Sequence, residues 1–283
     1  MRNIGITAAI TVLAAGAALV GIYVLIDNLV PAGARSSSRT LDVLKVAIAV
    51  AAIIGAVLTG VYAYRKQKLA EADALRADAD HLLTRFGKAS DQLGHDNPAV
   101  RLAGVYAMAA LADEWIDQRQ LCINVLTAYL QVPYTGDASS PDFRPGEREV
   151  RRNLIRVIRD HLRPGFSTVS WAGCSFRFER AIFDGGDLTG VHLSGGKVNF
   201  HAARFIGDTF FFNRALIDGA RVWFTRAQFE GGTVHYTEVE LRSGLLDFTN
   251  AVVNGGTAAF DDFTHSGGEL KPGPFVGQVP PGP

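Results

Sequence analysis

The chain has 283 residues, with 28 Lys plus Arg against 28 Asp plus Glu, a formal net charge of zero and 48% hydrophobic residues. A balanced chain has no whole-molecule field for nucleic acid or an acidic partner, so partner chemistry must reside in local patches. Cys122 and Cys174 lie far apart and form no CxxC pair, which leaves no basis for a disulfide framework or a zinc knuckle; two buried thiols in a reducing compartment are expected.

From Ile4 to Ile26 there is no charged residue. At 1.5 Å per residue this run covers about 30 Å of hydrocarbon, which predicts a transmembrane helix. It is longer than a signal-peptide core, and no small-residue cleavage site follows Ile26. A second uncharged run, Val46 to Tyr64, has Lys45 placed to snorkel at its start and Tyr62 and Tyr64 suited to the opposite interface. Gly16, Gly21, Gly55 and Gly60 would let the two helices pack closely. Neither run carries an internal ionisable residue, so the signature of an ion or proton path is missing and residues 1–64 read as an anchoring hairpin. The N-terminal amine, Arg2, Arg65, Lys66 and Lys68 outweigh Arg35 and Arg39 of the loop from Pro31 to Asp42 together with Lys45 beside it. The positive-inside bias therefore predicts a multi-pass cell-membrane protein with its N-terminus and C-terminal domains in the cytoplasm.

Residues 65–165 predict a small helical domain. A juxtamembrane helix carries Leu69, Leu75, Leu82 and Phe86 near heptad spacing, which would suit an ordinary surface helix or pairing with a second copy. Asn97 followed by Pro98 is a helix start. The helix it opens is expected to bury Val100, Leu102, Ala103, Tyr106, Ala109, Ala110 and Trp115, and a second helix to bury Leu121, Val125, Leu126, Tyr129 and Leu130. The pair resembles a HEAT-type hairpin, which implies protein binding or capping of the neighbouring C-terminal segment. After a Pro- and Gly-rich loop, a helix from about Glu147 to Leu162 has an apolar stripe of Val150, Leu154, Val157, Ile158 and Leu162. Arg148, Arg152, Arg156, Arg159 and Arg163 form a basic stripe on another face. Such a stripe suits anionic lipid or an acidic partner, or is solvated and balanced by Glu147, Glu149 and Asp160.

From Leu188, steps of twelve give Leu188, Phe200, Phe212, Phe224, Tyr236, Phe248 and Phe260. Three further on stand Val191, Ala203, Ala215, Ala227, Val239, Ala251 and Phe263. Five further on come Leu193, Phe205, Ile217, Phe229, Leu241 and Val253, with His265 breaking the pattern. A glycine recurs seven on, as in Gly195, Gly207 and Gly219, and Val198, Phe210, Val222, Val234, Leu246 and Ala258 stand ten on. A fixed short period marks stacked supersecondary units, here very short strands with four inward residues in every twelve. Pairs such as Ala181-x-Phe183, Ala203-x-Phe205 and Ala227-x-Phe229 resemble the motif of pentapeptide-repeat proteins. That resemblance implies a right-handed four-sided β-helix with eight inward side chains per coil and brings no catalytic residues. The spacing departs from a strict period of five, so two twelve-residue units are expected to make one longer coil of 24, with about four coils between Phe166 and His265. The layout as a whole is similar to bacterial membrane-anchored pentapeptide-repeat proteins. The expected fold is thus a membrane-anchored α+β chain: two transmembrane helices, a helical domain, a β-helix over 166–265 and a disordered Gly- and Pro-rich tail over 266–283.

No phosphate-binding loop, nucleophile elbow or metal-ligand cluster appears, and His192, His201 and His235 occupy three different phases. No catalytic, cofactor or metal residue is therefore assigned and no enzyme activity is expected. The expected function is a membrane-tethered scaffold binding an unidentified protein, with Arg204, Arg214, Trp223 and Arg226 as array contacts beside the helical arginine stripe. Homodimerisation through the last coil or the juxtamembrane helix is a further expectation, because an open coil end after Phe260 exposes strand edges that either pair with a second copy or are covered by the tail. Two alternatives are a DNA-mimicking regulator of a nucleic-acid enzyme and an enzyme with a site between the helical domain and the β-helix. Nucleic acid itself is not expected as a partner, since no basic field points to it.

Overall fold

The computed structural model describes residues 16–18, 20–25, 28 and 37–275. The chain divides into two compact units, Met1–Ala79 and Asp80–Pro283.

In the first unit, helix α1 (Ser37–Leu93) starts inside the expected loop and runs without a break through the second apolar run and the juxtamembrane segment. The change from apolar to charged text after Tyr64 alters which solvent the helix prefers but not its backbone preference. Ala, Leu, Glu, Lys and Arg are strong helix formers, and no Gly or Pro interrupts residues 61–86. Among the described residues this is the one helix long and apolar enough to cross a membrane, judged by length and composition over Leu44–Leu93. Gly16–Leu25 is a shorter apolar helix, and most of the expected first span lies outside the described residues.

The second unit opens with the last turns of α1, whose Leu82, Phe86, Ala89 and Leu93 pack on the core. Helix α2 (Pro98–Glu114) starts where Asn97 Oδ1 accepts the Ala99 N–H at 2.9 Å. A 3-10 turn (Ile116–Gln118) leads into α3 (Arg119–Tyr129), and Gly146 in the left-handed region precedes α4 (Glu147–Leu162). The apolar stripe expected on α4 is buried throughout. On α2 the buried face is instead Arg101, Gly104, Val105, Met108, Ala109, Leu111 and Ala112, with Tyr106 exposed. An arginine turns this face. Arg101 lies in the core with Nε 3.1 Å from Glu147 Oε2, Arg151 Nε donates to Glu147 Oε1 at 2.9 Å, and Tyr129 Oη donates to Oε2 at 2.8 Å. A charge paired with an opposite one inside a core is compatible with folding but invisible to an apolar-stripe count.

The array consists of fifteen short strands in three parallel sheets. Val198 pairs with Val222, Val222 with Leu246 and Leu246 with Leu270, so successive coils are 24 residues apart and the stack has about four turns. The first coil is shorter: Phe176 pairs with Val198 and Ile182 with Arg204, an offset of 22, whereas Gly186 pairs with Phe210 at 24. The missing two residues fall at the corner Asp184-Gly185. Inside, Phe178, Phe200, Phe224 and Phe248 stack with centroids 4.9, 4.5 and 5.1 Å apart, and Phe183, Phe205 and Phe229 form a second column at 5.0 and 5.2 Å. Each twelve-residue unit turns through a residue of positive φ two after its central aromatic: Ala202, Arg214, Arg226, Glu238, Asn250 and Asp262. Turns such as Ala203 N–H to Phe200 C=O at 3.0 Å close this corner.

Both ends of the stack are covered. Gln120 exchanges hydrogen bonds with Ser175, Gln131 donates to the Arg177 carbonyl, and the Ile182 N–H reaches the Leu130 carbonyl, so the helices satisfy the first coil's edge. At the other end the array runs past His265, correcting the expected boundary. Glu269–Lys271 pair with Leu245–Asp247, and Phe275 packs 5.6, 5.3 and 5.1 Å from Phe229, Phe248 and Phe260. The physical reason is local: Val253, in register with Phe229, is exposed, and Phe275 supplies the apolar cover over Phe229, Phe248 and Phe260.

Candidate interaction surface

All five stripe arginines, four on α4 and Arg163 at its C-terminal cap, meet side chains of their own unit. At the shortened corner Arg148 Nε and Nη2 hold the Asp184 carboxylate at 2.8 and 2.5 Å, and Tyr134 Oη donates to the same carboxylate at 2.7 Å. Burial raises the Asp184 pKa, but Arg148 and Tyr134 outweigh it and hold the carboxyl below its usual range. Burial and the Asp184 bond push the Tyr134 phenol up to about 12. Arg152 Nη2 donates to Asp208 at 2.6 Å, and Arg159 donates to Asp187 and to Asp160. Arg156 is exposed and donates to Tyr106 Oη at 3.0 Å and to Asn153. Arg163 lies 3.8 Å over the Phe166 ring. The stripe is therefore largely a clamp holding α4 to the first two coils. The groove beside it sets Arg152, Arg156 and Arg159 against Glu149, Asp187 and Asp208, and so offers no net charge to a ligand.

The array candidates separate. Arg204 is held by Glu230 in a two-pronged pair at 2.9 and 2.5 Å, and Arg214 sits half a coil away from Arg226. Trp223 and Arg226, however, join residues that the repeat phase alone does not single out. Lys197 stands in register with Arg221 on the strands that carry Asn199 and Trp223, and Arg177 is in register with Asn199. Around the adjacent corner Arg180, Ala202 and Arg226 follow one another, linked by bonds from Arg180 N–H to His201 C=O and from Ala202 N–H to Thr225 C=O. Arg177, Arg180, Lys197, Arg221 and Arg226 are all exposed, and among the described residues no ion pair or hydrogen bond engages their side chains. Trp223 is half-buried between Asn199 and Asp247. Asp247 is itself buried and receives the Thr249 N–H at 2.8 Å, and Glu179 accepts from Asn199 at 2.6 Å. The signal available in the sequence was the separation of Lys197 and Arg221: once a coil is 24 residues, residues 24 apart are vertical neighbours.

The histidines do not converge. His201 Nδ1 lies 2.8 Å from Thr225 Oγ1, His235 stacks on Phe211 at 5.5 Å, and His192 is in register with Leu216 on another face. Among the described residues no group of three His, Cys, Asp or Glu is placed to hold a metal.

The class that this fold defines is a helical region leading into a parallel β-solenoid of about four turns. The chain matches no protein-family model, no curated protein and no solved structure.

Proposed function

We propose that the protein is a membrane-tethered interaction scaffold without catalytic activity, anchored by two spans with its helical region and array on the cytoplasmic side of the cell membrane. The observation that carries this reading is the division of labour in the array. Its inward side chains are consumed by packing, while one outer face carries five exposed cations without partners around Trp223. Stacked repeats with inert interiors and regular outer faces suit binding better than turnover. A DNA mimic would need a continuous acidic stripe, and this face has the opposite sign.

The tether supports the same reading: α1 carries an uncharged run followed by Arg65, Lys66 and Lys68, the order expected where a span enters the cytoplasm. Proximity labelling from a tag after Pro283, in intact cells, tests it against a version lacking Met1 to Tyr64. One set of cytoplasmic-face proteins, labelled by the full chain and lost from the shortened one, is the expected result. Labelling of extracytoplasmic proteins would reverse the topology, and turnover of a substrate by the purified full chain would overturn the non-catalytic reading.

A further inference from the structure

Lys197 and Arg221 are vertical neighbours in a parallel ladder, about 4.8 Å apart along the stack. Like charges in register repel and lower stability, and a counter-charge in the next coil would relieve them. The array does supply such relief elsewhere: Arg204 has Glu230 in the next coil, and in the last coil of this face Lys271 has Asp247 and Glu269. Around Lys197 and Arg221 it does not. Arg177 and Arg180 extend the unpaired cations into the first coil, and Arg226 flanks the ladder at the corner.

Four of the five cations are arginines, whose planar guanidinium matches a carboxylate with two parallel bonds. We propose that this face is a docking surface for an acidic protein segment in extended conformation, running along the stack over Lys197 and Arg221 with its backbone or an apolar side chain against Trp223. An extended strand places alternate side chains about 6.6 Å apart on one side, a spacing that lets successive carboxylates reach cations in successive coils. The face is poorly built for the other two anionic surfaces. A bilayer contact needs protruding apolar side chains, but Trp223 is half-buried and Leu245, in register with Arg221, is buried. A single-stranded nucleic acid needs several stacking rings, and this face has one indole with Glu179 and Asp247 beside it.

This assignment rests on the scaffold reading and names the partner's chemistry. The test uses the full chain in neutral detergent and follows the anisotropy of a fluorescein-labelled peptide of alternating glutamate and alanine. Three competitors accompany it: an alternating lysine–alanine peptide, a single-stranded oligothymidylate and vesicles of anionic lipid. Binding of the glutamate peptide, weakened by salt and at least about ten-fold by Arg221→Glu, is expected, with Arg242→Ala unchanged because Glu240 already holds that guanidinium. Arg221→Glu also places opposite charges in register with Lys197, so its melting temperature should not fall, and lost binding cannot then be ascribed to lost folding. Equal binding by Arg221→Glu, or preference of the wild-type chain for the oligonucleotide or the vesicles, overturns the proposal. If the peptide fails to bind while cellular labelling still finds a tethered partner set, this face assignment falls and the scaffold reading stands. If labelling fails while the peptide binds, the scaffold reading falls and the face remains an acidic-peptide site.

Discussion

Tyr236 occupies the place that Phe212 and Phe260 fill elsewhere in its column, fully buried, and its hydroxyl has no hydrogen-bond partner. A buried unsatisfied hydroxyl costs about 1–3 kcal/mol, so Tyr236→Phe is expected to raise stability by about 1 kcal/mol in a chemical denaturation experiment. Gly244 has the reverse constraint. Its φ of +94° lies in the left-handed region, and a Cβ there would run into the Ala220 carbonyl oxygen of the coil below. Gly244→Ala should therefore destabilise the array by more than about 3 kcal/mol, because a backbone neighbour cannot move aside. The tyrosine's position was legible in the sequence, since it falls in a column of large residues twelve apart. Its orphan hydroxyl was not, because the absence of a partner depends on what the coils above and below bring near it. The residues of positive φ were equally hidden: Arg226 and Glu238 show no turn signature of their own and are forced into that conformation by the corner they occupy.

At the scale of elements, the helical region is joined to the array by Asp184, Asp187 and Asp208, each paired with an arginine of α4. All three carboxyls are held below their usual range: Asp208 chiefly by Arg152, and Asp184 and Asp187 by hydrogen bonds that overcome the effect of burial. A carboxyl depressed in the folded state contributes stability above its unfolded pKa, near 3.9, and loses it as pH falls through the lower folded value. Thermal melts should therefore drop steeply below about pH 4, and Asp184→Asn should show a smaller drop over that window while starting from a lower midpoint at neutral pH. An acid dependence unchanged by Asp184→Asn would mean that the clamp does not govern it. The apolar face and limits of α4 followed from its sequence period, and so did its arginine stripe. What the stripe does could not follow, because Asp184, Asp187 and Asp208 come together beside α4 only through the coil register, including the two-residue shortening at Asp184, and that register appears only when strands are paired. Phe275 gives a parallel case at the other end. It reads as part of a Pro- and Gly-rich tail but fills the last coil, and Phe275→Ala should make the strands after Ala251 the first to be cut by a protease, by leaving Phe248 and Phe260 uncovered.

For the molecule as a whole, the twelve-residue phase was enough to give a stacked β-solenoid and its inward columns, because each repeat must bury the same face against its neighbours. The outer faces are less legible. A residue's neighbours there lie 24 positions away, and only the register shows that Arg204 is paired while Lys197 and Arg221 are not. Labelled neighbours compared between the wild-type chain and Lys197→Glu/Arg221→Glu, expressed at equal levels in intact cells, test most directly the proposal that the protein is a scaffold acting through that face. Loss of the labelled set with the chain still in the membrane is the predicted result; retention of the same set at the same strength would contradict it.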